Sequence, residues 1–450
     1  RMRITLVAPS LYRRADGEKI GKGFSYPPMG LLVVAALTPP HHSVTLIDEN
    51  TKAVDYDEEV DLVGLSVTTP TAPRAYEIAT RFRARGVKVV MGGIHPTVLP
   101  DEAARFADAV VIGEAEGVWQ KLLEDVECGK LKRFYKADRL PDPSLIPTPR
   151  YDLLPRNGYW VKSMIHTTRG CPFNCAFCSV TRFFGGTFRT RPVDAVIQEI
   201  RKLKSKFVGF VDDNIIGNKK YARELFGALV GERIYWAGQA SVNVVRDRKL
   251  LKLLRKSGCK GLFIGFESVS EESLKEAGKR QNRVKEYKEA IKILHDHGIT
   301  VEGAFIFGFD SDDESVFEQT LEFCFSSGVD LVQFSILTPF PGTRLYDRLN
   351  SEGRILTRDW SRYNMSNVVF RPAKMSAERL YEGWLSAYRR FYGRLAIVRR
   401  LLSLRRRAPF ALVPLLVLNL TYRKRLHRRD ETPHSAPPLL DLPETVEVLK

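Results

Sequence analysis

Cys171, Cys175 and Cys178 lie within eight positions of one another, and no other stretch of the 450-residue sequence gathers soft metal ligands in this way. Iron in cubane clusters takes thiolate ligands, usually four. A loop that offers three leaves one iron without a protein ligand, and a reactive metal centre needs such an open position. The alternatives are a zinc site or buried structural thiols. Zinc sites usually pair CxxC knuckles or add histidine, whereas His166, the nearest histidine, lies on the preceding predicted strand. The other cysteines, Cys128, Cys259 and Cys324, are scattered and form no disulfide framework. No charged segment followed by an apolar run opens the sequence, so the chain reads as a reduced, cytoplasmic protein without an export signal.

The elements that must position this loop follow from hydrophobic pattern. Residues 1–130 alternate β-rich runs (Ile4–Ala8, Val44–Asp48, Leu62–Val67, Val87–Met91, Ala109–Ile112) with helical segments such as Ala72–Arg85. That alternation predicts a parallel sheet covered on both faces, with ligands beyond the carboxyl ends of its strands. Small residues gather at those ends: Ser66–Thr69, Gly92–Gly93 and Gly113–Gly117. No GxGxxG or GxxxxGK[ST] is present, which disfavours dinucleotide and P-loop nucleotide sites. A proline-rich stretch, 131–160, reads as a linker. Six further strand-like runs in 161–345 (Met164–Thr168, Phe207–Asp212, Tyr235–Ala240, Gly261–Phe266, Thr300–Phe307, Leu331–Leu337) alternate with helices and predict a partial (β/α)6 barrel. Residues 346–430 read as a helical region, and 431–450 as a disordered tail.

CxxxCxxC directly after a first barrel strand, with Phe177 before the last cysteine, resembles the radical S-adenosylmethionine (SAM) superfamily over roughly Lys162–Thr343. The resemblance implies a 4Fe–4S cluster on Cys171, Cys175 and Cys178 that binds SAM at its open iron and cleaves it reductively to a 5′-deoxyadenosyl radical. It further implies SAM contacts at Asp212, Asp213 and Asn214 after the second strand, at Glu267 and Ser268 after the fourth, and at Gly308 after the fifth. Asp212-Asp213-Asn214 departs from the family's more common GGE. An electron donor such as flavodoxin or ferredoxin is implied as partner.

The first domain resembles the flavodoxin-like, Rossmann-type cobalamin-binding domain of one branch of that superfamily. The matching segments are Tyr26-Pro27-Pro28-Met29-Gly30, Asp61–Ser66, Gly92-Gly93-Ile94-His95-Pro96 and Gly113-Glu114-Ala115-Glu116. The resemblance implies corrinoid contacts from Pro28, Met29, Ser66, Thr68, Gly92, Gly93, His95, Gly113 and Glu114. The DxHxxG motif of other cobalamin enzymes is missing; Asp48-Glu49-Asn50 stands nearest to it and contains no histidine. His95 has two readings: a ligand or base facing the corrinoid, or a residue that satisfies the hydrogen bonds of its own turn.

In this branch the pair of cofactors implies methylation of an unactivated carbon; ring closure or rearrangement without methyl transfer is the alternative. A non-catalytic cluster- and corrinoid-binding carrier or sensor is the reading from another class. No spacing singles out a catalytic acid, base or radical-quenching residue, although Tyr363 and Cys324 are candidates. The net charge of +17 is uneven: Gly383–Arg429 holds 13 Lys/Arg and no Asp/Glu, which leaves +4 for the rest. Basic clusters flanking the apolar run Ala408–Leu420 suit an anionic membrane surface and a small or lipid-like substrate. A basic helix packed on the barrel is the plainer reading. No RNA-reading motif accompanies the charge, which disfavours nucleic acid.

Overall fold

The computed structural model describes residues 1–11 and 26–431. Strands β1 (Arg3–Ala8), β2 (Ser43–Asp48), β3 (Leu62–Ser66), β4 (Lys88–Gly92), β5 (Ala109–Ile112) and β6 (Phe134–Lys136) form one sheet of order β2–β1–β3–β4–β5–β6, parallel throughout. The short apolar runs of β1, β3, β4 and β5 are buried on both sides, as parallel strands between two helix layers must be. Val7, Val63, Leu65 and Met91 pack with helix Ala72–Ala84, while Leu6, Leu62, Val90 and Val111 pack toward helices Met29–Leu37 and Trp119–Glu127. The strand order places a switch point between β1 and β3, where a crevice opens at the carboxyl ends.

The stretch 131–160 is more than a linker. It supplies β6, the edge strand of the first sheet, and Leu153 and Leu154, which join Met29, Leu32 and Met164 in an apolar cluster between the domains. The strand is only three residues long, Phe-Tyr-Lys, too short for its pattern to stand out beside the prolines that follow it.

The second sheet has the order β14–β13–β12–β11–β10–β7, again parallel, from β7 (Met164–Ile165), β10 (Phe207–Phe210), β11 (Tyr235–Ala240), β12 (Cys259–Glu267), β13 (Thr300–Phe307) and β14 (Leu331–Ile336). The terminal strands β7 and β14 do not pair, so this is the open, partial (β/α)6 barrel. Burial alternates strictly along β13: Val301, Phe305 and Phe307 are buried, whereas Ala304 and Ile306 stay partly accessible. The predicted first barrel strand is split. After β7 the chain leaves the sheet, and β8 (Thr168–Arg169) pairs antiparallel with β9 (Arg189–Thr190), so this hairpin brackets the cysteine loop.

An open barrel exposes the edge of its last strand, and unpaired edges must be covered. Side chains of the C-terminal helix Ala377–Phe391 and its flank cover this one. Tyr392 Oη both accepts from Val332 N–H and donates to Val332 C=O; Tyr388 Oη accepts from Phe334 N–H; and Trp384 Nε1 donates to Phe334 C=O. Two further helices, Arg394–Arg407 and Leu412–Glu431, complete the region. Between barrel and helices, Trp360, Tyr363 and Val369 return to the first domain and pack into its core beside Ala75 and Phe82. The tail read as disordered lies outside the described residues beyond Glu431.

Candidate active site

At the carboxyl ends of the barrel strands a cavity of about 320 Å³ is lined by Cys171, Cys175, Cys178, Asp213, Glu267 and Lys279. The cysteine loop is held from beneath by Asp212, the residue before Asp213. Asp212 Oδ1 accepts from Thr167 N–H and Oγ1, each at 2.9 Å, from Thr168 Oγ1 at 2.7 Å, and from Thr168 N–H. It thereby fixes the point where the chain turns from β7 into β8. The next side chain, Asp213, lies in the bend after β10 and lines the cavity with the three cysteines. Burial, followed by the neighbouring Asp212 charge, pushes its carboxyl up to about 6. No protein group among the described residues donates a hydrogen bond to Asp213, which leaves it open to a cationic ligand. Asn214 bonds Ser241 through both ends of its amide and lines the same wall.

Burial raises all three thiols, Cys175 to about 11 and Cys178 to about 12. Such thiols are poor nucleophiles and become thiolates by binding a metal. Tetrahedral zinc would require sulfur atoms about 3.8 Å apart, given Zn–S near 2.3 Å. Among the described residues, the three cysteines do not gather their sulfurs within 4.8 Å of one another. The three sulfurs are therefore not already gathered around a single ion.

Glu267 ends β12 at a register shift against β13 and takes a left-handed backbone, φ +65°. A non-glycine residue held there stores strain that surrounding structure must impose. The constraint is Lys279, whose Nζ lies 2.6 Å from Glu267 Oε1. Gly265 makes room for the pair: a Cβ there would lie 2.5 Å from that same oxygen. Lys279 follows the helix Glu271–Ala277 and its left-handed Gly278 cap, and it also lies close enough to Cys175 and Cys178 to act on their charge. Sequence reasoning did not find Lys279, because only tertiary packing brings it to the cluster.

Three predicted SAM contacts do not line this cavity: Asp212, which holds the β7–β8 turn, Ser268 and Gly308. Ser268 is buried, and its Oγ accepts from Ser270 N–H in the turn that starts the next helix. Gly308, at φ +110°, backs onto Leu380 and Phe370, and its N–H bonds Asp312. Ala304 and Ile306 present that strand to the cavity instead.

The first sheet's carboxyl edge is built otherwise. His95 is 0% exposed. Its Nε2 lies 3.0 Å from Tyr76 Oη and 3.3 Å from Glu102, and its Nδ1 3.2 Å from Thr69 Oγ1. Trp360 Nε1 donates to the same Glu102 oxygen at 2.9 Å. This arrangement is the turn-stabilising one, with the His95 ring set among Tyr76, Thr69, Glu102 and Trp360. Glu114 is also buried. Both its oxygens are held by guanidinium groups of the cysteine-loop hairpin, Arg169 at 3.2 Å and Arg189, while Arg169 also pairs with Glu116 at 2.7 Å. Glu114 therefore clamps the two domains. Met29 is buried in the interdomain cluster, with Pro28 immediately before its helix.

What remains at this edge is small. Ser66 and Gly92 are half-buried and Thr68 is exposed. A Cβ on Gly93 (φ +102°) would sit 2.8 Å from Val67 C=O, so only glycine permits that approach of β4 to β3. Gly113 (φ +82°) has open space where a Cβ would be. Such an edge fits a broad, flat ring held by shape and backbone, and of the residues read as corrinoid contacts none supplies a free metal-ligating side chain.

The Radical SAM superfamily model matches residues 165–324, the B12 binding domain model 22–123, and the Domain of unknown function (DUF4070) model 343–409. The chain is 35% identical over 425 residues to the bacteriochlorophyllide d C-12(1)-methyltransferase of Chlorobaculum tepidum, covering 88% of this chain and 92% of that one. It is 29% identical to the hopanoid C-2 methylase of Rhodopseudomonas palustris, covering 83% and 72%. The solved structure of the cobalamin-dependent SAM radical enzyme OxsB, with aqua-cobalamin and SAM bound, superposes with a TM-score of 0.69 at 15% identity, covering 95% and 72%, a likeness of fold.

Proposed function

Since this chain belongs to the radical SAM superfamily, in its cobalamin-binding branch of methyltransferases, we propose that it methylates an unactivated carbon of a small, largely hydrophobic molecule. When bound, the cluster with SAM supplies the 5′-deoxyadenosyl radical, and the corrinoid supplies the methyl group.

The chain's own residues bind, orient and exclude water. Cys171, Cys175 and Cys178 hold the cluster. Asp213 takes the ammonium group of SAM, for which a carboxylate without a protein donor is matched in charge. Lys279 keeps Glu267 in its left-handed turn and sets a positive charge beside the thiolates. Asn214 keeps the cavity wall fixed to Ser241. The substrate lies along the apolar wall formed by Phe263, Ile306, Ile336 and Met365, with Gln333 and Ser335 as orienting groups. Phe340 lines the cavity and packs on the core of the first domain, which supports a substrate held between the domains. The relatives' action on a bacteriochlorophyllide and a hopanoid supports the same hydrophobic class.

The observation that carries this reading is Asp213 and the three cysteines around one cavity with an apolar wall. Its test is anaerobic reconstitution with iron, sulfide and hydroxocobalamin, then SAM, lipid or pigment extracts, and a strong reductant in place of a flavodoxin- or ferredoxin-type donor. 5′-Deoxyadenosine together with S-adenosylhomocysteine and a methylated product, all lost in Cys175→Ala, is the expected result. 5′-Deoxyadenosine alone would replace methyl transfer by cyclisation or rearrangement. An intact cluster and corrinoid that never cleave SAM would make the protein a carrier or sensor.

A further inference from the structure

The two C-terminal helices form a hairpin with an apolar stripe left over. On their inner side Ile397, Leu404, Leu415 and Asn419 are buried against the barrel's helix layer, and Arg400 Nη2 bonds Asn419 Oδ1 to lock the pair. On their outer side Leu395, Val398 and Leu402 recur at i, i+3 and i+7 of one helix. Val413, Leu416, Val417 and Leu420 recur at i, i+3, i+4 and i+7 of the other. Both sets are exposed, Leu395 by 76% and Val413 by 68%, with Phe410 in the turn between them. Spacing of this kind gives each helix a second apolar face, which a soluble surface helix does not need.

Charge surrounds the stripe. Arg394, Arg399, Arg405 and Lys424 are exposed, within a stretch that holds no acidic residue from Gly383 to Arg429. A cleft of about 820 Å³ opens beneath the hairpin, lined by Arg390, Arg394, Arg399, Arg400, Arg407 and Arg423. Leu395 lines the cleft as well, so cleft and stripe share one rim. Carboxylates engage only part of this set: Glu318 pairs with Arg390, and Asp330 with Arg407. Arg400 Nε is buried with no acceptor among the described residues. No described helix is long and apolar enough to cross a membrane.

We propose that this hairpin lies in the plane of an anionic bilayer surface, with the Leu/Val stripe in the acyl boundary and a lipid phosphate in the arginine cleft. Apolar burial and attraction to anionic headgroups are the two forces that hold an interfacial helix, and each is visible here in a separate set of residues. The proposal does not rest on the methyl-transfer reading, and its test needs no turnover.

The test is co-sedimentation of the full chain with phosphatidylcholine vesicles, with and without phosphatidylglycerol. Binding about tenfold greater to the anionic vesicles, weakened by high salt, is expected. Leu395→Ser/Val413→Ser/Leu420→Ser and Arg394→Gln/Arg399→Gln should each remove most of it while leaving the melting temperature unchanged, since all five side chains are exposed. Equal binding to neutral vesicles, or none, overturns the proposal. So does a dimer in solution that the serine variant dissociates, or binding to nucleic acid that depends on the arginines and ignores the serine changes.

Discussion

At the carboxyl end of the second sheet the reactive side chains face a cavity; at the same end of the first sheet the reactive side chains are enclosed and only backbone and small residues remain. Cys171, Asp213 and the Glu267–Lys279 pair belong to the first kind, and His95 and Glu114 to the second. The difference follows from what each edge must hold. A cluster needs ligands of specific chemistry at specific points. A large planar ring needs room, which bulky or charged side chains would fill. The polar residues of the first domain instead serve to fix its turns and to clamp the hairpin that carries the cysteines.

Three substitutions break or sharpen this contrast. The largest effect is expected from Lys279→Met, which strands a buried Glu267 carboxylate in a strained turn and should lower stability by about 3–5 kcal/mol. Glu267→Gln added to it should restore part of the melting temperature. A single variant as stable as the parent would show that the pair does not hold the turn.

Next, His95→Gln removes partners from Tyr76, Thr69 and Glu102 and should lower stability by about 2–3 kcal/mol. The protein that remains folded should keep its full cobalt content after reconstitution. Cobalt loss from folded protein would return His95 to the corrinoid site and erase the contrast.

The smallest effect is expected from Asp213→Asn. Loss of one charge-assisted bond should weaken SAM binding by about tenfold, or roughly 1.4 kcal/mol. Folding stability should stay level, because the carboxylate has no protein donor to lose. Titration calorimetry with the reconstituted protein measures this, and undiminished affinity would remove Asp213 from the ammonium site.

Both parallel sheets and the cysteine loop were legible in sequence because their signals are local: apolar runs of strand length, and three thiolates in one turn. The Asp212-Asp213 pair shows where local signals end. Two identical residues just past a strand end look equivalent, and only the folded bend sends one to the β7–β8 turn and the other to the cavity. Lys279 sits twelve residues beyond Glu267, past an intervening helix, at no recognisable spacing. His95 and Glu114 show a different limit: their types suggest chemistry, while the partners that surround them stand 7 to 75 positions away and meet them only in the fold. The edge-covering tyrosines read from sequence only as aromatics in a basic helix.

The return of Trp360, Tyr363 and Val369 to the first domain has a consequence for synthesis. A core begun by residues near the amino terminus is closed by Trp360, Tyr363 and Val369, which are made more than two hundred positions after β6. At roughly 5–20 residues per second that is an interval of tens of seconds. Throughout it the part of the first domain's core that Trp360, Tyr363 and Val369 complete stays uncovered, and a chain halted after the barrel would leave it so permanently.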